Sequence, residues 1–301
     1  MRFHPSAAIA NVAKITVAIA MGLLAGIQQA GAQHMPATPD LGGSIEKPAP
    51  ESLLPTPEGI RVTVGALAVY RPKYDGAKRY EFTALPVFSV APLMSGGPGG
   101  AGLTFDARTL DDVSLALFKN NGFEAGPLIG YRTGRAEKDS PHLAGLGDID
   151  GGLVAGGYAR YNLAPLYLRA SVNQQLTGTD TGYLLRFAAG ASQTIAPRIV
   201  VKGVVTVDYG SSDYMQAYYG ITALQSSRSG LAVFDAGAGF KSIGALLSTE
   251  YALTEDWKLL ATAGYTRFLG DAASSPIVEA ADRLELRLGA SRSFDWRPHF
   301  D

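Results

Sequence analysis

The chain has 301 residues, 47% of them apolar, a formal net charge of −1 and no cysteine. That balance gives no electrostatic footprint for nucleic acid, and the lack of cysteine excludes disulfides, thiolate metal sites and an acylated N-terminal Cys. No stretch after Ala32 approaches ~18 uninterrupted apolar residues, so no helix is expected to cross a bilayer.

Residues 1–32 read as a signal peptide. Arg2, His4 and Lys14 give a basic start, and the apolar core 15–27 is too short to span as a helix. Ala30-Gly31-Ala32 then supplies an A-x-A exit, so the mature chain is expected to begin at Gln33. Residues 33–59 read as a periplasmic tail, because Pro36, Pro39, Pro48, Pro50, Pro55 and Pro57 favour extended, solvated backbone. A spacer and a partner-binding peptide share that composition.

From residue 60 to 301 the pattern is all-β. Roughly twelve strand-like runs follow one another, each bounded by Gly, Pro, Asp or Asn. They cover 61–71, 80–91, 102–107, 113–118, 123–133, 153–162, 166–175, 182–191, 198–209, 244–253, 257–268 and 283–294. Segment 235–243 either extends the tenth strand or belongs to the preceding loop. Connections after even strands (119–122, 163–165, 192–197, 254–256) are short, and those at 134–152, 210–243 and 269–282, after odd strands, are long. An even-stranded outer-membrane β-barrel with both termini in the periplasm has that asymmetry. Two connections fit it less well: 92–101 is long for a periplasmic turn and 177–181 is short for an outer loop.

Alternation sorts the side chains into two sets. One set holds Val62, Val64, Ala66 and Ala68; Leu166, Leu168, Ala170 and Val172; Val201, Val205 and Val207; and Leu259, Ala261 and Ala263. These are assigned to lipid. The other holds Arg132, Arg160, Arg169, Arg186, Lys202, Lys258 and Arg287 with Glu81, Glu124, Asp208, Glu250 and Glu285. These are assigned to the lumen, because an Arg or Lys facing mid-bilayer costs roughly 2–4 kcal/mol. Aromatic residues gather at the strand ends on the lipid parity. Tyr70, Tyr80, Tyr131, Tyr183 and Tyr209 are expected at the outer rim, and Phe123, Tyr161, Tyr251, Trp257 and Phe294 at the periplasmic rim. Rings at both interfaces form the girdles of such barrels.

Four stretches resemble the MltA-interacting protein (MipA/OmpV) family of outer-membrane proteins. They are GALAVYRPKYDGAKRYEFTALPVF from Gly65, GPLIGYRTGRAEKDSPHLAGLGDIDGGLVAGGY from Gly126, YMQAYYGITALQSS from Tyr214 continuing through DAGAGFKSIG, and DWKLLATAGYTRFLGDAASSPIVE from Asp256. The resemblance implies a non-enzymatic outer-membrane barrel that scaffolds a membrane-bound lytic transglycosylase and a murein synthase. It also leaves open a porin-like channel, for which the basic excess of the lumen set gives a weak anion preference, and an adhesin or sensor acting through the outer loops. Family members usually end on an aromatic residue, whereas here DWRPHFD follows Phe294.

No catalytic, cofactor or metal site emerges. Of the four histidines only His142 falls in an outer loop, with no acid placed to orient it. Asp148, Asp150 and Glu137 in that loop lack a calcium-loop spacing. GGPGGAG, from Gly96 to Gly102, lacks the Lys-Ser/Thr ending of a phosphate loop and reads as a turn.

Overall fold

The computed structural model describes residues 57–94, 103–105 and 113–296. The expected signal peptide, most of the expected tail, the glycine-rich 96–102 segment and His4, His34, His299 and Phe300 lie outside the described residues. Strands dominate: β1 (Pro57–Pro72), β2 (Tyr80–Met94), β3 (Leu103–Phe105), β4 (Val113–Leu115), β5 (Phe118–Asn120), β6 (Phe123–Arg132), β7 (Gly152–Leu163), β8 (Leu166–Gln175), β9 (Tyr183–Ala196), β10 (Ile199–Gly210), β11 (Gly239–Ala252), β12 (Trp257–Phe268) and β13 (Asp282–Trp296). Among the described residues three short α-helices occupy connections, α1 (Ser212–Tyr219), α2 (Ala223–Ser229) and α3 (Gly270–Ser274), with two single-turn 3-10 helices at Glu137–Asp139 and Pro141–Leu143. No described helix is long and apolar enough to cross a membrane.

All strands join one antiparallel sheet in the order β2-β1-β13-β12-β11-β10-β9-β8-β7-β6-β4-β3, with β5 also on β6. The first and last strands therefore pair, Val62 opposite Phe294 and Tyr70 opposite Leu286. The wall is a barrel left open at one joint, since no ladder joins β2 to β3 among the described residues.

Several bounds differ from the sequence expectation. β1 starts at Pro57, inside the expected tail, and β13 runs past Phe294 to Trp296. β9 continues to Ala196, so its turn to β10 is only 197–198. The fourth run is broken at Ala116 and Leu117, and both halves pair with β6, so thirteen strands fill about twelve wall positions. β11 begins at Gly239, which settles segment 235–243 as part loop and part strand.

Residues directly opposed in a ladder share a face. Asp208 opposes Arg186 and Ser242, Arg186 opposes Ser171, and Ser171 opposes Tyr158. The face so defined carries the buried strand residues Leu67, Val69, Leu128, Val154 and Leu184 and is the inner one. The opposite face exposes Phe82, Ile129, Leu168, Phe187, Leu259 and Leu288, an apolar exterior. Small residues make room inside: at Gly190 an added Cβ would lie 2.5 Å from ring carbons of Tyr167.

Val205 sits midway along β10 on the outer face. Val205→Arg is expected to lower stability in phospholipid vesicles by roughly 2–4 kcal/mol, read from urea unfolding. An unchanged midpoint would show that this face does not meet hydrocarbon.

Candidate functional site

The two ends of the wall differ. At one end the connections shrink to 121–122, 164–165, 197–198 and 253–256. At the other lie 73–79, 133–151, 176–182, 211–238 and 269–281, and these fold into a cap. Short turns and both chain ends mark the periplasmic side of such barrels, so the cap sits on the outer side.

The centre of the cap is α1. Ser211 caps its N-terminus by accepting the Tyr214 N–H at 3.2 Å, and the helix stops at Gly220. Thr222 and Gln225 form a capping box for α2, which ends on Gly230 in the left-handed region at φ 75°. Eight residues cannot hold a helix alone in water. α1 is held by packing: Tyr214, Met215 and Tyr219 are buried in a cluster with Leu184 of β9, Phe268 of β12 and Ala272 of α3. A second cluster joins Tyr74, Leu143, Leu146, Ile221 and Ile277 from four different connections. Polar ties cross the same seams. Ser275 Oγ donates to the Tyr219 carbonyl at 2.6 Å, Gln225 Nε2 to that of Leu146 at 2.7 Å, and Arg135 Nη1 to that of Tyr218 at 2.8 Å. Arg132 of β6 and Lys241 of β11 stand 5.1 and 5.6 Å from the Tyr214 ring centroid. Those strands are five positions apart in the wall. Tyr214 therefore bridges the bore instead of lying on its rim.

Beneath α1 runs a chain of ion pairs on the inner face. Arg186 binds Asp208 through two bonds of 2.8 and 3.0 Å. Lys241 lies 3.7 Å from Asp208 and 3.8 Å from Asp75. Arg283 bonds Asp75 and also Glu285 at 3.2 Å, and Glu285 binds Arg287. The chain thus links β9, β10, β11 and β13 to the β1–β2 hairpin.

All twelve charged residues assigned to the lumen share this inner face in the ladders, and all ten rim aromatics share the other. Lys202 pairs with Glu250 across β10 and β11. Glu81 faces Arg71 at 3.8 Å, and Glu124 accepts from Tyr158 at 2.5 Å with Lys119 at 3.9 Å. Arg160 and Arg169 stack on Tyr167 and Tyr158 at 4.2 and 4.9 Å. Lys258, opposite Ser291, is exposed and has no ion partner among the described residues. Outside, Tyr70 packs on Tyr80 at 4.9 Å, Tyr209 on Phe240 at 5.6 Å and Phe123 on Phe118 at 5.9 Å. Tyr131, Tyr161, Tyr183 and Tyr251 are exposed. Trp257 and Phe294 flank Arg292, an outer-face cation absent from the sequence assignment, at 5.8 and 4.8 Å.

Sequence reasoning missed Asp75, Arg135, Tyr214, Tyr218, Lys241 and Arg283. Arg283 shares the parity of Glu285 and Arg287 and was readable. Lys241 was not, because a bulge opposite Asp208 and Tyr209 reverses its side. The loop carboxylates brace backbone: Glu137 accepts the N–H groups of Gly145 and Gly147 at 2.6 and 3.1 Å, and Asp148 that of Glu137 at 2.7 Å. His142 Nε2 lies 2.9 Å from the Pro276 carbonyl, tying two connections together.

Twisted antiparallel strands with an apolar exterior and ionic pairs within define an outer-membrane β-barrel protein, here with a folded outer cap. The family described as MltA-interacting protein MipA matches residues 64–294, and the chain belongs to that family. The MltA-interacting protein of Escherichia coli (strain K12) is 30% identical over 100 residues, spanning 33% of this chain and 37% of that protein; the same protein from Shigella flexneri matches equally. The match thus covers little more than a third of those relatives. Among solved structures, the KdgM porin aligns at a TM-score of 0.38 and 10% identity, over 77% of this chain and 99% of that one. The translocator domain of the autotransporter NalP from Neisseria meningitidis aligns at 0.39 and 13%, over 78% and 88%. At that depth neither bears on function, and the fold rests on the ladders above.

Asp75 lies in the cap. Burial pushes its carboxyl upward, but Arg283 and Lys241 outweigh that and hold it below the usual value. A depressed carboxyl stabilises the fold above its unfolded pKa, about 4, and that contribution fades as pH falls through the lower folded value. The Asp75 side chain is 41% exposed, so solvent screens the effect. Limited proteolysis of the 73–79 turn should accelerate modestly below about pH 4. In Asp75→Asn the turn should be cleaved faster at neutral pH and lose that dependence. Identical pH profiles for the two proteins would refute the assignment.

Proposed function

We propose that this protein is a non-enzymatic scaffold of the outer membrane that holds a lytic transglycosylase close to a murein synthase. Family membership supports the reading, and the matched relatives are named for interaction with MltA. The family resemblance makes that partner a membrane-bound lytic transglycosylase.

The observation that carries the scaffold over the channel is Tyr214 spanning the bore between Arg132 and Lys241. Met215 beside it has no exposed surface, and Tyr219 and Phe268 back it. A buried cluster at that place supports a blocked outer end over an open channel. A scaffold needs no conductance, and it would meet its partners at the periplasmic end, where the turns are short. The same packing buries Tyr214, Met215, Tyr219 and Ile221 of the 211–238 connection, which weighs against that connection as a free adhesive arm.

In-cell crosslinking from exposed positions in the periplasmic turns, such as Glu255, should recover a lytic transglycosylase and a murein synthase. Planar-bilayer recordings of the purified protein should show no steady conductance. Recovery of neither enzyme, together with stable ohmic conductance, would replace the scaffold by a pore.

A further inference from the structure

We propose that the cap encloses a binding site for a small oxyanion between Arg132, Arg135 and Tyr218. The site is independent of the scaffold reading. Arg132 and Arg135 are 6% and 7% exposed. The cations below them, Lys241 and Arg283, lie against Asp75, Asp208 and Glu285. Arg132 and Arg135 have no such partner: among the described residues neither has a carboxylate within ion-pair distance. Arg132 gives Nη1 to Thr181 Oγ1 at 2.9 Å and Nη2 to Asn173 Oδ1, both neutral acceptors. Arg135 gives Nη1 to the Tyr218 carbonyl at the end of α1. The Nε atoms of both arginines and the Tyr218 hydroxyl are buried with no hydrogen-bond partner.

Tyr218 ties these groups together. Its carbonyl holds Arg135, and its ring lies on Tyr214 at 4.8 Å, the ring over which Arg132 stands. Unpaired buried charge and orphaned donors are costly. The negative end of α1 offsets part of the Arg135 charge; nothing equivalent serves Arg132 beyond the Tyr214 ring. A single oxyanion offers both a countercharge and several acceptors, and guanidinium is the side chain best shaped for phosphate, sulfate or carboxylate. Arg132 and Arg135 are each more than nine-tenths buried, which fits a free ion better than a lipid-borne headgroup.

The test is calorimetric titration of inorganic phosphate into the full-length protein in detergent, at fixed ionic strength. Saturable one-to-one uptake is expected, weakened by about tenfold or more in Arg132→Gln and less in Arg132→Lys, which keeps the charge. Folding of each variant is checked by its heat-modifiable gel mobility. Should Arg132→Gln not fold, Tyr218→Phe removes one donor only and should still weaken uptake severalfold. A parallel titration uses short-chain phosphatidylglycerol, for which weaker binding than phosphate is expected. The proposal is overturned by no saturable uptake up to about 10 mM phosphate, by equal affinity in wild type and variants, or by binding of the lipid without binding of phosphate.

Discussion

Arg186 and Asp208 face each other across β9 and β10, and their pairing expresses the constraint on which the wall depends. In hydrocarbon every backbone group must be bonded within the sheet, and every charge must turn inward. A slip of one residue in either strand would send Arg186 or Asp208 outward and Phe187 or Val207 inward. The pair therefore fixes register as well as contributing energy. Through Lys241 and Asp75 it extends to the β1–β2 hairpin, and from there through Arg283 to β13. Strands that meet only at the two ends of the sequence are thereby referred to one another through side chains.

The cap uses a different balance of forces. Its parts are too short to persist singly, and its helices begin and end on local signals at Ser211, Thr222 and Gly230. What holds them is the burial of Tyr214, Met215, Tyr219, Ile221 and Ile277 at seams between connections. The packed connections gather at the outer end, while the opposite end carries only short turns.

Much of the wall was legible in the sequence because period-two alternation is local: Leu284, Leu286 and Leu288 separate from Glu285 and Arg287 without knowledge of any partner strand. The alternation of short and long connections was legible for the same reason. What escaped reading depends on partners distant in the chain. Lys241 changes sides only because a bulge opposes Asp208 and Tyr209. The break at Ala116 and Leu117 shows only once both flanking pieces are seen on β6. β9 runs on to Ala196 because β10 pairs with it there, Ile199 opposite Ala196. The helix at 212–219 was not read at all, because 210–243 showed only as a long outer loop and packing decides whether so short a helix exists.

The pairing of β1 with β13 has a consequence for how the protein is made. Arg61 binds Asp295 at 2.6 Å, and Thr63 meets Ser293 at 2.9 Å, across 234 and 230 residues of chain. Contacts so remote in sequence are slow to form, because the entropy of closing the intervening loop comes first. One margin of β1 stays unmatched until the final strand has been synthesised and delivered. During transit that margin is a sticky edge open to pairing with other chains until β13 arrives.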